Sequence, residues 1–157
     1  MVAAAGNNGS SAQAAYPAAY ADAIAITAVD QDEQVFEGAN QGSYIAFAAP
    51  GVRIWAADGK GAGRFVTGTS FAGPFATAVS ALELMAGVSA DPASLPTALA
   101  GDAVHLGSPG RNSVYGFGLV HARSACGTDI SAAQQRLARS LRVPSAGQLS
   151  FQSNSIS

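Results

Sequence analysis

A serine with glycine and threonine before it and a run of small apolar residues after it stands near the middle of this chain, in Gly68-Thr69-Ser70-Phe71-Ala72-Gly73-Pro74. The residues beyond Ser70 (Ala72, Gly73, Ala76, Ala78, Val79 and Ala81) are mostly too small to cover a surface stripe. The spacing therefore predicts a helix of about 16 residues, packed closely on all sides, with Ser70 at its N-terminus. Free backbone N–H groups and the positive end of the helix dipole meet there, and both favour negative charge. Such a position suits a hydroxyl that attacks a carbonyl, because the oxyanion formed needs donors already in place. The same residues also read as an ordinary N-cap, since serine and threonine are common helix starters.

Other residues have the types for chemistry. Residues 68–72 approximate a nucleophile elbow, and Asp102 and His121 follow in the Ser, Asp, His order of an α/β-hydrolase. Residue 72, however, is alanine where the elbow has glycine, and a clear strand before it is wanting. His105 and His121 otherwise read as surface or loop residues. Gly59, Gly61 and Gly63 suggest a phosphate loop, but they lack both the strand-loop-helix context and the full G-x-G-x-x-G spacing, so a flexible surface hairpin is expected.

The elements that must position Ser70 follow from hydrophobic patterning. Val2 to Ala5 reads as a short buried strand ending at Gly6-Asn7-Asn8-Gly9, and Ala23 to Val29 as a second apolar strand; both look like interior strands of a parallel sheet. Tyr44 to Ala49 is a third strand, stopped by Pro50-Gly51, and Ile54 to Ala56 a shorter fourth. A further helix is expected from Ser94 to Ala100, with Asp91-Pro92 supplying turn chemistry before it. Beyond residue 120 the character changes. Ser131 to Gln134 has capping-box spacing, and Arg136, Arg139 and Arg142 lie beside Leu137 and Leu141, which predicts a short basic amphipathic helix within a polar tail over 127–157.

Composition bounds the function. With 48% hydrophobic and 11% charged residues among 157, the chain can bury the core of one domain and is no disordered tail. A net charge of −2 and no cluster of lysines or arginines in residues 1–120 argue against nucleic acid as a partner. No run of about 18 apolar residues occurs, so no transmembrane segment is expected. The opening MVAAAGNNGS lacks a charged start and a long apolar core, so it is no signal peptide and reads like a strand already in progress. Abundant Ala, Gly and Ser, a single lysine and a single cysteine, Cys126, fit an exported bacterial protein, secreted or of the cell envelope.

Five segments together resemble, in order, the C-terminal half of the catalytic domain of a subtilisin-family serine protease. AAAGNNG resembles the strand and turn that carry the family's oxyanion-hole asparagine, which would be Asn7, and YPAAYADAIAITAVD resembles the segment that follows. APGVRIWAA resembles the strand-turn before the nucleophile loop, GTSFAGP the G-T-S-x-A-x-P nucleophile motif, and VYGFGLVHARSA the segment that closes the domain. The resemblance implies an α/β fold of three layers, a mostly parallel sheet flanked by helices, present here incompletely. It implies a serine endopeptidase acting on polypeptide substrates. Ser70 would be the nucleophile, with the Asn7 amide and the Ser70 N–H as oxyanion donors and Thr69 flanking the hole. Ala4, Ala5 and Gly6 would form one wall of the substrate pocket and Ala15 its far side, and the Tyr16–Pro17 bond would be cis. No cofactor and no side-chain metal site is implied; main-chain carbonyls around Ala18, Tyr20 and Ala23 are the place where the resemblance would put a structural cation such as calcium.

Departures from the family pattern matter equally. In subtilisins the aspartate and histidine of the triad precede the oxyanion segment, and residues 1–157 contain neither a D-[ST]-G nor an H-G-T motif. Gly73 and Phe75 also stand where many relatives carry serine and histidine. These features lead to the expectation of a fragment, inactive alone and missing the N-terminal half of its domain. The alternative is a non-catalytic remnant or interaction module.

Overall fold

The computed structural model describes residues 1–59 and 61–122. Cys126, Lys60 and the expected basic helix and tail over 127–157 lie outside the described residues. Three strands, β1 (Val2–Ala4), β2 (Ile24–Val29) and β3 (Ile45–Pro50), form a parallel sheet in that order. Val2 pairs with Ile24, and Ile26 with Phe47. Every residue of β2 is buried, which is why Ile-Ala-Ile-Thr-Ala-Val reads as a continuous apolar run and not as an alternating one. A register shift at Ala25/Ile26 interrupts the β2–β3 ladder. Among the described residues β1 pairs with β2 alone, whereas residues 117–120 run beside β3 and close that edge. There the Phe117 N–H donates to the Ala46 carbonyl, and the Ala48 and Val120 N–H groups to the Gly118 and Ala48 carbonyls.

On either side of the glycine-rich stretch, β4 (Ile54–Ala57) and β5 (Gly63–Val66) pair antiparallel, the hairpin expected there. It carries Trp55 edge-on to Phe65 at 5.0 Å. From it the chain enters α1 (Thr69–Met85), which packs across all three parallel strands, and α2 (Ser94–Asp102) packs against α1. Ile24, Ile26, Ala28, Phe47 and Ala49 of the sheet share one cluster with Ala72, Ala76 and Leu99 of the helices. Gly51 makes the close approach possible: a Cβ there would lie 2.6 Å from the Ala28 Cβ and 3.0 Å from the Gly68 carbonyl oxygen.

The helix after Ser70 differs from expectation in one respect. It buries Thr69, Ala72, Ala76, Ser80 and Glu83, a stripe at three- and four-residue spacing, while Pro74, Phe75, Thr77, Ala78, Ala81 and Leu82 are exposed. Small residues on every face predict cover on every face, but the described residues supply a sheet and α2 only.

Candidate functional site

Thr69 and Asn7, 62 residues apart in sequence, meet where β1 ends and α1 begins. The first helical N–H, that of Thr69, donates to Asn7 Oδ1 at 2.9 Å, and the Thr69 hydroxyl donates to the same oxygen at 3.0 Å. That hydroxyl in turn accepts the Gly6 N–H at 3.2 Å. Thr69 is fully buried while Asn7 is exposed, so these bonds are shielded from water on the Thr69 side. Because both groups facing Asn7 Oδ1 are donors, the amide orientation is fixed by the network, and Nδ2 is the end turned away from Thr69.

Ser70 is the second residue of α1 and is exposed; the residue at the cap is Gly68, which contributes no side-chain bond. Ser70 is therefore not the N-cap, the ordinary role that its type allowed. With the Thr69 N–H taken by Asn7 and the Phe71 N–H by the Gly68 carbonyl at 3.0 Å, no described acceptor takes the Ser70 N–H. Asn7 Nδ2 likewise has no described partner. The start of α1 thus carries an exposed hydroxyl, a helix N-terminal N–H without a described acceptor and, through Thr69, the Asn7 amide, groups of the kind that a developing oxyanion needs. Pro74 lies inside α1 and offers no N–H to the carbonyl of Ser70.

The other expected site residues lie around this point. Ala4 and Ser70 line one open cavity of about 620 Å³, together with Val2, Ala3, Gly73 and Pro74. Ala5 is fully buried; its N–H donates to the Ile26 carbonyl, and its carbonyl accepts the Tyr44 hydroxyl at 2.8 Å. Gly6 has φ +112, a conformation that side chains rarely adopt. Ala15 is half-buried ahead of the Tyr16–Pro17 bond, which is cis, and its carbonyl accepts the Ala19 N–H; no hydrogen bond joins it to Asn7 or Ser70. Of the carbonyls suggested for a cation, that of Tyr20 already accepts the Ala23 N–H at 3.0 Å. No group of three or more His, Cys, Asp or Glu side chains able to hold a metal ion occurs among the described residues.

His105 and His121 are exposed, on the segment beyond β3, and no hydrogen bond joins either to Ser70 among the described residues. The elbow geometry of an α/β-hydrolase is also absent locally, because the strand before Ser70 is the second strand of an antiparallel hairpin and not a central parallel strand. Sequence reasoning gave Asn40 no role and Tyr44 only a place at the start of a strand. Asn40 is fully buried, its Oδ1 accepting the Asn8 N–H at 2.7 Å and its Nδ2 donating to the Gln13 carbonyl at 3.2 Å. The only signal was an asparagine ahead of Gly42 in a polar stretch that resembled any loop.

Two carboxyls away from Ser70 have shifted titration. Burial on α1, and then the negative charge of Asp102, push Glu83 above its ordinary value, and its Oε1 has no hydrogen-bond partner among the described residues. Hydrogen bonds from Ser94, first through its side chain, hold Asp91 well below the usual carboxylate range; its Oδ1 accepts the N–H groups of Ala93 and Ser94 at 2.9 and 2.8 Å at the start of α2.

Comparison with known proteins follows the same line. The family model described as the subtilase family matches residues 1–118. Halolysin of Haloferax mediterranei is 37% identical over 132 residues, which cover 82% of this chain and 24% of that protein. Minor extracellular protease Epr of Bacillus subtilis is 31% identical over 136 residues, 86% of this chain and 21% of that one. Among solved structures, the prenylagaramide maturation protease PagA superposes with a TM-score of 0.65 at 26% identity, covering 79% of this chain and 48% of that chain. The chain thus spans less than half the length of each of these relatives.

Proposed function

This chain belongs to the subtilase family, and we propose that it supplies the nucleophile and the oxyanion hole of a serine endopeptidase. The observation that supports this reading is the fastening of Asn7 Oδ1 by the Thr69 N–H and hydroxyl next to Ser70, which leaves Asn7 Nδ2 and the Ser70 N–H as donors with no acceptor among the described residues. In this reading Ser70 Oγ attacks the scissile carbonyl of a polypeptide, a histidine takes its proton, and an aspartate orients that histidine. The tetrahedral oxyanion then receives hydrogen bonds from Asn7 Nδ2 and the Ser70 N–H, with Thr69 holding the first of these in place. Ala4, Ala5 and Gly6 form one wall for the residue preceding the scissile bond, and Ala15 the other, its methyl group making that pocket shallower than glycine would.

The histidine and aspartate come from outside residues 1–157, where neither family motif occurs. In this reading their segment packs along the β1 edge that no strand pairs among the described residues, and over the exposed face of α1, two surfaces that α/β folds cover. Among the described residues no base is hydrogen-bonded to Ser70, and a serine hydroxyl alone is a weak nucleophile. A secreted location agrees with the extracellular relative from Bacillus subtilis; no helix among the described residues is long and apolar enough to cross a membrane. The test is hydrolysis of a peptide anilide by the complete enzyme, meaning this chain together with the histidine- and aspartate-bearing segment. Ser70→Ala should abolish turnover. Turnover that persists would move the nucleophile elsewhere.

A further inference from the structure

We infer that Asn40 is a positioning residue for the oxyanion hole, holding the main chain on both sides of Asn7; this rests on the reading of Asn7 given above. Asn7 has its side chain fixed by Thr69, but a donor is only as well placed as the backbone that carries it. That backbone is held by Asn40, 32 residues from Asn8 in sequence. The Asn40 N–H donates to the carbonyl of Gly6 at 3.0 Å, just before Asn7. Its Oδ1 accepts the N–H of Asn8 at 2.7 Å, just after Asn7. Its Nδ2 reaches onward to the Gln13 carbonyl at 3.2 Å, tying the turn to the segment that leads to Ala15.

The side chain must accept from one main-chain group and donate to another within a site with no exposure, which is the capability of an amide. Aspartate would keep the acceptor but present negative charge to the Gln13 carbonyl, and alanine would leave the Asn8 N–H without its partner. The turn is also shaped around this amide. A Cβ on Gly6 would fall 2.6 Å from Asn40 Nδ2 and 2.8 Å from its Cγ, so the glycine before Asn7 is the space that Asn40 occupies. Displacement of a catalytic donor by about 1 Å costs up to about 100-fold in rate, and loss of an oxyanion donor outright about 100- to 1000-fold.

Two measurements test this. Hydrogen exchange on the complete enzyme should show the Asn8 amide protected and its exchange at least tenfold faster in Asn40→Ala, with the β2 and β3 amides unchanged. An Asn8 amide that is unprotected in the unsubstituted chain overturns the inference, whether or not the variant folds. In the complete enzyme, Asn40→Ala should lower kcat about 10- to 100-fold with KM within about twofold. In an Asn7→Ala background the same substitution should lower kcat by less than about threefold, because the donor it positions is already gone. Equal losses in both backgrounds would show general structural damage and overturn the inference while leaving the proposed function intact. If Asn7→Ala alone leaves kcat unchanged, the oxyanion role of Asn7 fails, and the inference fails with it.

Discussion

Gly6→Ala should destabilise the protein more than Gly9→Ala, although both place a side chain at a positive φ in the same turn. The angles are +112 at Gly6 and +92 at Gly9, so each substitution costs about 1–3 kcal/mol of backbone strain. The surroundings differ. A Cβ on Gly9 meets nothing within 4 Å, whereas one on Gly6 lies 2.6 Å from Asn40 Nδ2, a distance at which something must shift. Asn40 has no exposure and is committed to Asn8 and Gln13, so making room means giving up those two hydrogen bonds, at about 1 kcal/mol each. The expected excess for Gly6→Ala over Gly9→Ala is thus about 2 kcal/mol. For a chain of this size that is about 4–8 °C in Tm, read from thermal unfolding followed by circular dichroism. Equal melting temperatures for the two variants would refute the packing of the turn against Asn40.

In the complete enzyme, Asn7→Leu should lower kcat by about 100- to 1000-fold with little change in KM, because the lost donor acts mainly in the transition state; a rise in KM at constant kcat would make Asn7 a substrate-binding residue instead. Glu83→Gln should stabilise the fold by about 1–2 kcal/mol at neutral pH, since it removes a buried charge whose Oε1 lacks a partner among the described residues. The sign follows from linkage: a carboxyl raised above its ordinary 4.5 binds its proton more tightly when folded, so its cost is absent at low pH and grows as pH rises from that value through the raised one. The advantage of the glutamine variant should therefore vanish in acid, and a pH-independent difference in Tm would contradict the assignment.

Local pattern made the parallel strands legible, because Ile24–Val29 and Ile45–Pro50 are apolar runs of strand length bounded by turn residues. The helix after Ser70 was legible from its small residues, but its exposed face was not, because Ala78 and Ala81 have the same composition whether or not anything covers them. Asn7 and Ser70 could be singled out by the motifs around them. Their meeting through Thr69 was a long-range contact that no periodicity encodes, and only the order of the five segments pointed to it. Asn40 was invisible for a related reason: its significance lies in the three main-chain groups that it serves, and main-chain partners leave no mark in a sequence.

Covalent labelling of Ser70 tests the central claim most directly. A fluorophosphonate forms a stable adduct only with a serine activated by a base, so the complete enzyme should be labelled stoichiometrically, with the adduct mapped to the peptide bearing Ser70. Ser70→Ala in the same enzyme should remain unlabelled, and residues 1–157 on their own, folded as judged by circular dichroism, should be labelled no faster than that variant. An adduct on another residue of the complete enzyme would contradict the account. So would rapid Ser70 labelling of residues 1–157 alone, which would require a base within them and bring His105 or His121 into the site.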